Sequence, residues 1–101
     1  MIKVCFTKKE DKYIVLSITG HANMGDFGED LVCAEASAIS FGLCNALFEM
    51  AHIESIDIIE NYIHIYIPEP NDLTQNILRV AYYQFKTIEH THPKAIKITE
   101  E

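Results

Sequence analysis

Alternating apolar and polar side chains open the chain and predict a β-hairpin. Residues 2–7 and 13–19 both alternate in this way, which is typical of strands that bury one face. The charged run 8–12 between them predicts the connecting turn. The apolar face would consist of Ile2, Val4 and Phe6 from the first strand and Ile14, Leu16 and Ile18 from the second.

A change to helical spacing predicts a long helix from Leu31 to about Met50. The segment 22–29 before it has no period and contains asparagine and glycine, so it predicts a loop. Asp30 is suited to be the N-cap, because its carboxylate can accept backbone N–H groups of the first turn. The helix is apolar on more than one side, which indicates burial on more than one side. Gly42 within it costs about 1 kcal/mol relative to alanine, which indicates a close approach by another element.

Strand-like segments return in the second half of the chain. Residues 53–59 and 62–67 predict a second hairpin around a tight turn at Glu60 and Asn61, and two prolines end it. After a second helix, residues 95–99 can form a short last strand.

The second helix would begin at a cap formed by Asn71 or Asp72 and run to about Glu89. Its apolar stripe would consist of Leu73, Ile77, Val80, Ala81, Phe85 and Ile88. Three further large side chains lie off that stripe and are candidates for a subunit contact: Leu78, Tyr82 and Tyr83.

The element order ββ-α-ββ-α-β predicts a single α+β domain over residues 1–101. Short hairpin turns favour antiparallel pairing, so the sheet should be mixed but mostly antiparallel. Both helices would pack on this sheet in a two-layer arrangement. A chain of 101 residues is long enough for one hydrophobic core and too short for two.

Charge and hydropathy narrow the class of partner. The formal net charge of −7 argues against binding nucleic acid through its phosphates, and it is compatible with a basic partner. The N-terminus alternates like a strand and does not resemble a secretory signal. Since no window of eighteen residues lacks polar side chains, we expect no membrane span.

The cysteine and histidine content indicates neither disulfides nor a metal. The chain has three cysteines, and this odd number argues against a disulfide framework. It favours a reducing cytoplasm as the compartment. Spacings typical of zinc sites do not occur, and His90 and His92 are explained by the end of the second helix. The sequence also lacks the glycine-rich motifs of nucleotide sites. We therefore expect neither metal nor cofactor.

His21 and Cys33 form the chemical pair of interest. The histidine follows the second strand and the cysteine begins the first helix, so one edge of the domain can bring them together. A nucleophilic cysteine acts as its thiolate, which a helix N-terminus and a neighbouring imidazolium both favour. Glycines Gly25 and Gly28 would let the loop between them act as a lid or clamp. A buried structural cysteine and a surface histidine are the alternative explanation.

The motif around this pair resembles that of a known peptidase family. The chain has GHA at 20–22, then, after five residues, GEDLVCAEAS at 28–37. This pattern, with its spacing, is similar to that of the ribosomal-processing cysteine proteases, the Prp family of Firmicutes and related bacteria. One departure is Glu35, where small apolar residues are more common. Its negative charge near Cys33 would oppose the thiolate, so the sequence leaves the catalytic efficiency open.

The resemblance implies a specific activity. Members remove the short N-terminal extension from large-subunit ribosomal protein twenty-seven, and they form homodimers. The resemblance makes Cys33 the nucleophile and His21 its partner. The matching positions that would support the site or bind substrate are Gly20, Asp30, Ala34 and Ser37.

We expect His21 to hold Cys33 as a thiolate, with N–H groups at the helix start, including that of Cys33, binding the oxyanion. The alternative from another class is a small acidic module that binds a basic ribosomal or assembly partner and has an inert cysteine. The sequence leaves open the cleavage-site preference, the dimer surface and any residue that orients His21.

Overall fold

The fold alternates paired strands with helices. The structure is a computed structural model that describes residues 1–20 and 27–101, with only the backbone considered at 27–30. The elements in chain order are β1 (Ile2–Lys9), β2 (Lys12–Thr19), α1 (Phe27–Ala51), β3 (Ile56–Ile59), β4 (Tyr62–Tyr66), α2 (Asp72–Thr91) and β5 (Ile96–Glu100). The predicted α+β class and element order ββ-α-ββ-α-β are therefore confirmed.

The five strands form one mixed sheet in the order β3-β4-β2-β1-β5. Three neighbouring pairs are antiparallel, and β5 runs parallel to β1. The register aligns Val4 of β1 with Ile18 of β2, and Ile18 with Ile63 of β4. Residues directly paired on neighbouring strands point to the same side, so these three share one face of the sheet.

That face carries the core, because both helices cover it. Val4 and Phe6 of β1 are completely buried, as are Leu47 of α1 and Phe85 of α2, and all four belong to one cluster. Side chains on the opposite face, such as His64, are half-buried or exposed. The molecule therefore has the two layers expected from the sequence.

The first helix begins no later than Phe27, four residues before the predicted start. Gly28 and Asp30 lie within it, so the prediction that Asp30 is the N-cap is wrong, and Gly28 is not in a loop. Gly28 and Asp30 in this segment are weak helix formers, which is why the pattern indicated a loop.

The end of α1 is fixed by its cap. His52 adopts a left-handed conformation (φ 57°), and the Ile53 N–H donates to the Leu47 carbonyl at 3.0 Å. This hydrogen bond spans residues 47–53, and a left-handed residue just after the last helical residue is typical of helix C-termini. The side chain of Ile53 is buried in the core. The third strand therefore begins at Ile56 and not at residue 53, as the apolar run had indicated.

The second helix begins at Asn71 through a capping box. The Asn71 side chain accepts the Thr74 N–H at 2.9 Å, while the Thr74 hydroxyl accepts the Asn71 N–H at 3.1 Å. Its buried stripe consists of Thr74, Leu78, Ala81, Phe85 and Ile88. The predicted stripe was wrong at Leu73 and Val80, which are exposed. Leu78 belongs to the core, so it is no candidate for a subunit contact.

The outward side of α1 is unusually apolar. By length and composition alone, Leu31–Ala51 could cross a membrane, but apolar core helices meet the same criterion. Here Val32 and Leu47 are completely buried against the rest of the domain. Gly42 lies on the exposed side, and apart from its chain neighbours and the adjacent helix backbone no described atom lies within 4 Å of where its Cβ would be. The close approach expected at Gly42 therefore does not come from within the described chain.

Candidate active site

A cavity of about 610 Å³ opens between the first half of α1, the end of β2 and the β3–β4 hairpin. Its lining residues are Ile2, Ile18, Gly20, Cys33, Ala36, Ser37, Ser40, Phe41, Ile58, Ile59, Glu60, Asn61, Tyr62 and Ile63. Most of these are apolar, with a few polar groups among them. That mixture is typical of a site that takes up an organic ligand and orients it through a few polar contacts.

Cys33 lies on the wall of this cavity. It is half-buried, packs against the hydrophobic core and occupies the seventh position of α1. One helical turn further, Ser37 is exposed and lines the same cavity. Residues four apart on a helix share a face, which accounts for this pairing. Cys33 is therefore both accessible from the cavity and held by the packing of its helix.

Gly20 reaches the cavity from the opposite side, at the end of β2. Its φ of 81° is left-handed, and a Cβ built on it would lie 2.5 Å from the Met1 carbonyl oxygen. The Gly20 N–H donates to the Asn61 carbonyl at 3.1 Å. Glycine adopts this left-handed φ without strain and has no Cβ to clash with Met1. The backbone at the end of β2 therefore requires glycine at this position.

The structure brings together three of the residues singled out from the sequence: Gly20, Cys33 and Ser37. Ala34 is exposed and lies outside the set of lining residues. His21 and Gly25 lie outside the described residues. The roles assigned to these positions remain predictions.

The position of Cys33 within α1 changes the expected electrostatics. With the helix beginning at Phe27 or earlier, Cys33 lies about 9 Å along the axis from Phe27, at 1.5 Å per residue. The dipole effect falls off within the first turn. A backbone N–H in the second turn bonds within the helix. The oxyanion role expected for the Cys33 N–H stays a prediction.

The sequence predicted the β3–β4 turn but not its position in the wall of the site. The tight turn at Glu60 and Asn61 was expected, and it is present, with Asn61 in a left-handed conformation (φ 62°). Its position beside Gly20 depends on the pairing of β4 with β2. That pairing joins segments far apart in sequence, so no local signal indicates it.

The other two cysteines lie in different environments. Cys44 is 5% exposed within the core, and this burial raises the pKa of its thiol. Cys5 is half-buried on the sheet face opposite the helices. Within residues 1–20 and 27–101, no three His, Cys, Asp or Glu side chains gather as a metal site would require. Cys33 alone of the three thiols lines the cavity.

A half-buried cysteine on the wall of an open cleft is where a nucleophilic thiol can meet a substrate, which agrees with the peptidase class that the motif indicated. The family model for cysteine protease Prp matches residues 1–97 of this chain. The chain therefore belongs to the cysteine protease Prp family, and it is a cysteine protease.

Relatives of known name support this assignment along the whole chain. The ribosomal processing cysteine protease Prp of Bacillus subtilis is 32% identical over 98% of this chain and 96% of its own length. The protein of the same name in Staphylococcus aureus is 34% identical over 97% of each. The crystal structure of the S. aureus Prp protease with a covalently linked product peptide superposes with a TM-score of 0.89, at 31% identity, over the full length of both chains. A second S. aureus Prp structure holds a substrate peptide and gives the same TM-score, also over the full length of both chains, at 30% identity.

Proposed function

We propose that this protein is the endopeptidase that removes the short N-terminal extension of large-subunit ribosomal protein twenty-seven during ribosome assembly. Support comes from the family, from the names of the relatives in B. subtilis and S. aureus, and from the peptide complexes of the latter. The observation that carries the proposal is the shared cavity. Gly20, whose peptide leads directly to His21, lines the same cavity as Cys33.

In the acylation half of the reaction, the imidazole of His21 takes the proton of the Cys33 thiol. The sulfur adds to the scissile carbonyl carbon, and the carbonyl electron pair moves to the oxygen. As the oxyanion collapses, the C–N bond breaks and the imidazolium gives its proton to the leaving amine. The product is a thioester between Cys33 and the N-terminal fragment, with the mature protein released.

Hydrolysis of the thioester completes the cycle. The same imidazole takes a proton from a water molecule, whose oxygen attacks the thioester carbonyl. The C–S bond breaks, the sulfur recovers its proton from the imidazolium, and the fragment leaves as a carboxylic acid. A Cys–His pair can perform both halves with two side chains, because a thiol gives up its proton more readily than a serine hydroxyl does.

The cavity favours an extended peptide with apolar side chains. Its walls are formed by aliphatic and aromatic residues from both layers, among them Ile18, Phe41 and Ile63. The edge strand β3 borders it through Ile58 and Ile59. Apolar substrate side chains would bury surface there at roughly 25 cal/mol per Å². The walls thus suit cleavage next to apolar residues of the extension.

We further propose that the protein works as a homodimer in the cytoplasm. The chain carries a long helix whose outward side remains apolar, with Leu31, Phe41 and Phe48 each about half exposed. Cytoplasmic ribosome assembly is where an extended ribosomal protein would be met, and thiols are kept reduced there.

A synthetic peptide that spans the extension and the first mature residues tests the proposal. Cys33→Ala should abolish cleavage, while Cys5→Ala, which removes a thiol from the far face of the sheet, should leave the rate unchanged. His21→Ala should slow cleavage on the order of 10²-fold or more, as loss of a general base does. Cleavage by Cys33→Ala at the wild-type rate would refute the assignment. Binding of the peptide without cleavage by the wild type would favour the non-catalytic module.

A further inference from the structure

Glu60 brings a carboxylate to the wall of the cleft that contains Cys33. Among the described residues that line this cavity, it is the one Asp, Glu, Lys, Arg or His side chain. Glu60 is exposed, so a ligand in the cleft can reach it. Two ion pairs form within the described part of the chain, Lys8–Glu100 and Lys86–Glu89, and neither involves Glu60. The described fold therefore does not use this charge.

The β3–β4 turn holds the backbone of Glu60 in place from two sides. Ile59 and Tyr62 are paired partners, so Glu60 and Asn61 are the two residues of the loop between them. A two-residue loop is the shortest common connection of a hairpin, and it adopts few conformations. The Asn61 carbonyl also accepts the Gly20 N–H at 3.1 Å, which connects the turn to the end of β2. Glu60 therefore has a defined position at the wall of the cleft.

Apolar side chains flank Glu60 at this wall. Ile59, the preceding residue, is 65% exposed, and Ile58 is 48% exposed. Both line the cavity. An aliphatic stem that ends in a cation matches such a surface, because lysine and arginine cover apolar groups with their stems while the charged head stays in polar surroundings. Tyr62 adds an aromatic ring to the same lining, and the faces of such rings attract cations.

We propose that Glu60 selects peptide substrates that carry a lysine or arginine side chain close to the scissile bond. The carboxylate accepts hydrogen bonds from the ammonium or guanidinium group, while the stem covers the exposed side chain of Ile59. This role rests on the proposed function, because it requires a peptide substrate in the cleft of Cys33. It does not require that the peptide come from a ribosomal protein.

A cationic side chain fits this wall better than the other ligands of a carboxylate. A metal ion needs several ligands, and within residues 1–20 and 27–101 no three His, Cys, Asp or Glu side chains gather as such a site would require. An acidic peptide residue would be repelled by Glu60 and by the net charge of −7. The same net charge attracts a basic peptide. A free N-terminal ammonium has no aliphatic stem and would leave Ile59 uncovered.

A lysine scan of peptide substrates tests the selectivity. The parent peptide spans the extension and the first mature residues, is acetylated at its N-terminus, and has glutamine in place of each charged residue. Lysine is then placed in turn at the three positions on either side of the scissile bond. At one of them, lysine should raise kcat/KM roughly fivefold over glutamine, the gain expected of an exposed ion pair. Equal values for lysine and glutamine at every position would overturn the proposal.

Matched variants assign the selectivity to Glu60. Glu60→Gln keeps the size of the side chain and should abolish the preference for lysine. Glu60→Lys should reverse it, so that glutamate is preferred over lysine at the same position of the peptide. Asp57→Asn is the control, because Asp57 is an exposed carboxylate of β3 outside the cavity lining. A preference that persists in Glu60→Gln, or is lost in Asp57→Asn, would contradict the assignment. Circular dichroism checks that the variants are folded.

Further peptides identify the cationic group. Arginine at the selected position should act like lysine, whereas norleucine, which has an aliphatic stem and no charge, should not. Rising salt should reduce the preference, because it screens an exposed ion pair. An equal gain from norleucine would show that the stem alone is read and would refute a role for charge. A gain from a free N-terminus, with none from lysine, would overturn the choice of a side chain.

Binding to an inactive variant separates this role from the peptidase proposal. Fluorescence anisotropy with Cys33→Ala measures the affinity of the same peptides without cleavage, and the best lysine peptide should bind roughly fivefold more tightly than its glutamine counterpart. Adding Glu60→Gln should make the two affinities equal. If the wild type cleaves none of the peptides, the proposed function fails while the anisotropy still decides the role of Glu60. Equal affinities in Cys33→Ala, or no binding at all, would overturn that role.

Discussion

Gly20 lies so close to Met1 that a Cβ built on it would be 2.5 Å from the Met1 carbonyl oxygen. Ordinary van der Waals contact begins well beyond this distance, and φ is 81° at the same residue. The beginning of β1 and the exit of β2 are therefore packed against each other with no room for a side chain. This contact fixes the backbone at Gly20, the residue that precedes His21 in the sequence.

Gly20→Ala should damage both stability and catalysis. Its left-handed backbone and the clash with Met1 together should lower the free energy of unfolding by about 1–3 kcal/mol. The displaced strand end should also lower kcat/KM for the peptide. Urea denaturation and steady-state kinetics measure the two effects. The matched control is Gly42→Ala, where a Cβ meets no described atom within 4 Å. An unchanged Gly20→Ala enzyme would show that the contact is dispensable.

The order of the elements was predictable because each one carries its own period. Alternation in β1 and β2 indicates strands that bury one face, whatever lies elsewhere in the chain. The start of α1 was not predictable in this way, since Gly28 and Asp30 in its first turn are weak helix formers. In α2, the buried residues differ from the predicted apolar stripe, because Thr74, a polar residue, is completely buried. Its capping box satisfies its hydroxyl, which no count of apolar residues can anticipate.

The composition of the site was predictable only where it is local in sequence. Cys33 and Ser37 lie one turn apart on a helix, and Gly20 ends a strand that the alternation marks clearly. The wall formed by Glu60 and Asn61 depends on strand order, which brings β4 beside β2. Strand order depends on contacts between distant segments, so local patterning leaves it open.

Thiol labelling should separate the three cysteines. Iodoacetamide should react first with Cys33, which lines the cavity, and slowest with Cys44, where 5% exposure and a raised pKa both oppose reaction. Peptide mass mapping over time measures the order. His21→Ala should slow labelling at Cys33 and leave Cys5 unchanged, which makes Cys5 the internal control. Equal and slow labelling of all three thiols would contradict a catalytic role for Cys33.

Gln75 should stabilise the first hairpin. Its side-chain amide accepts the Tyr13 N–H at 2.8 Å and donates to the Tyr13 carbonyl at 3.0 Å. It thus bonds the backbone of β2 as another strand would. Gln75→Ala should lower the free energy of unfolding by about 1–3 kcal/mol, since both Tyr13 groups lose their partner. Gln75→Glu keeps only the acceptor and should fall between. Asn76→Ala, an exposed neighbour, is the control. Equal stability of all three variants would show that water replaces the amide.

Glu89 should make stability depend on acid pH. Burial alone would raise the pKa of Glu89, but hydrogen bonds from the Lys86 ammonium and the Ile98 N–H outweigh it and lower the pKa. A carboxylate with a lowered pKa stabilises the fold fully above its unfolded value of about 4.3. This contribution is lost as the pH falls through the folded-state pKa. Glu89→Gln should therefore be less stable at pH 7 by about 1–2 kcal/mol, and the difference should shrink below about pH 4. Chemical denaturation at pH 7 and pH 3 measures it. Lys86→Met, which leaves the Ile98 hydrogen bond in place, should have the smaller effect. A pH-independent difference would show that packing, and not charge, accounts for Glu89.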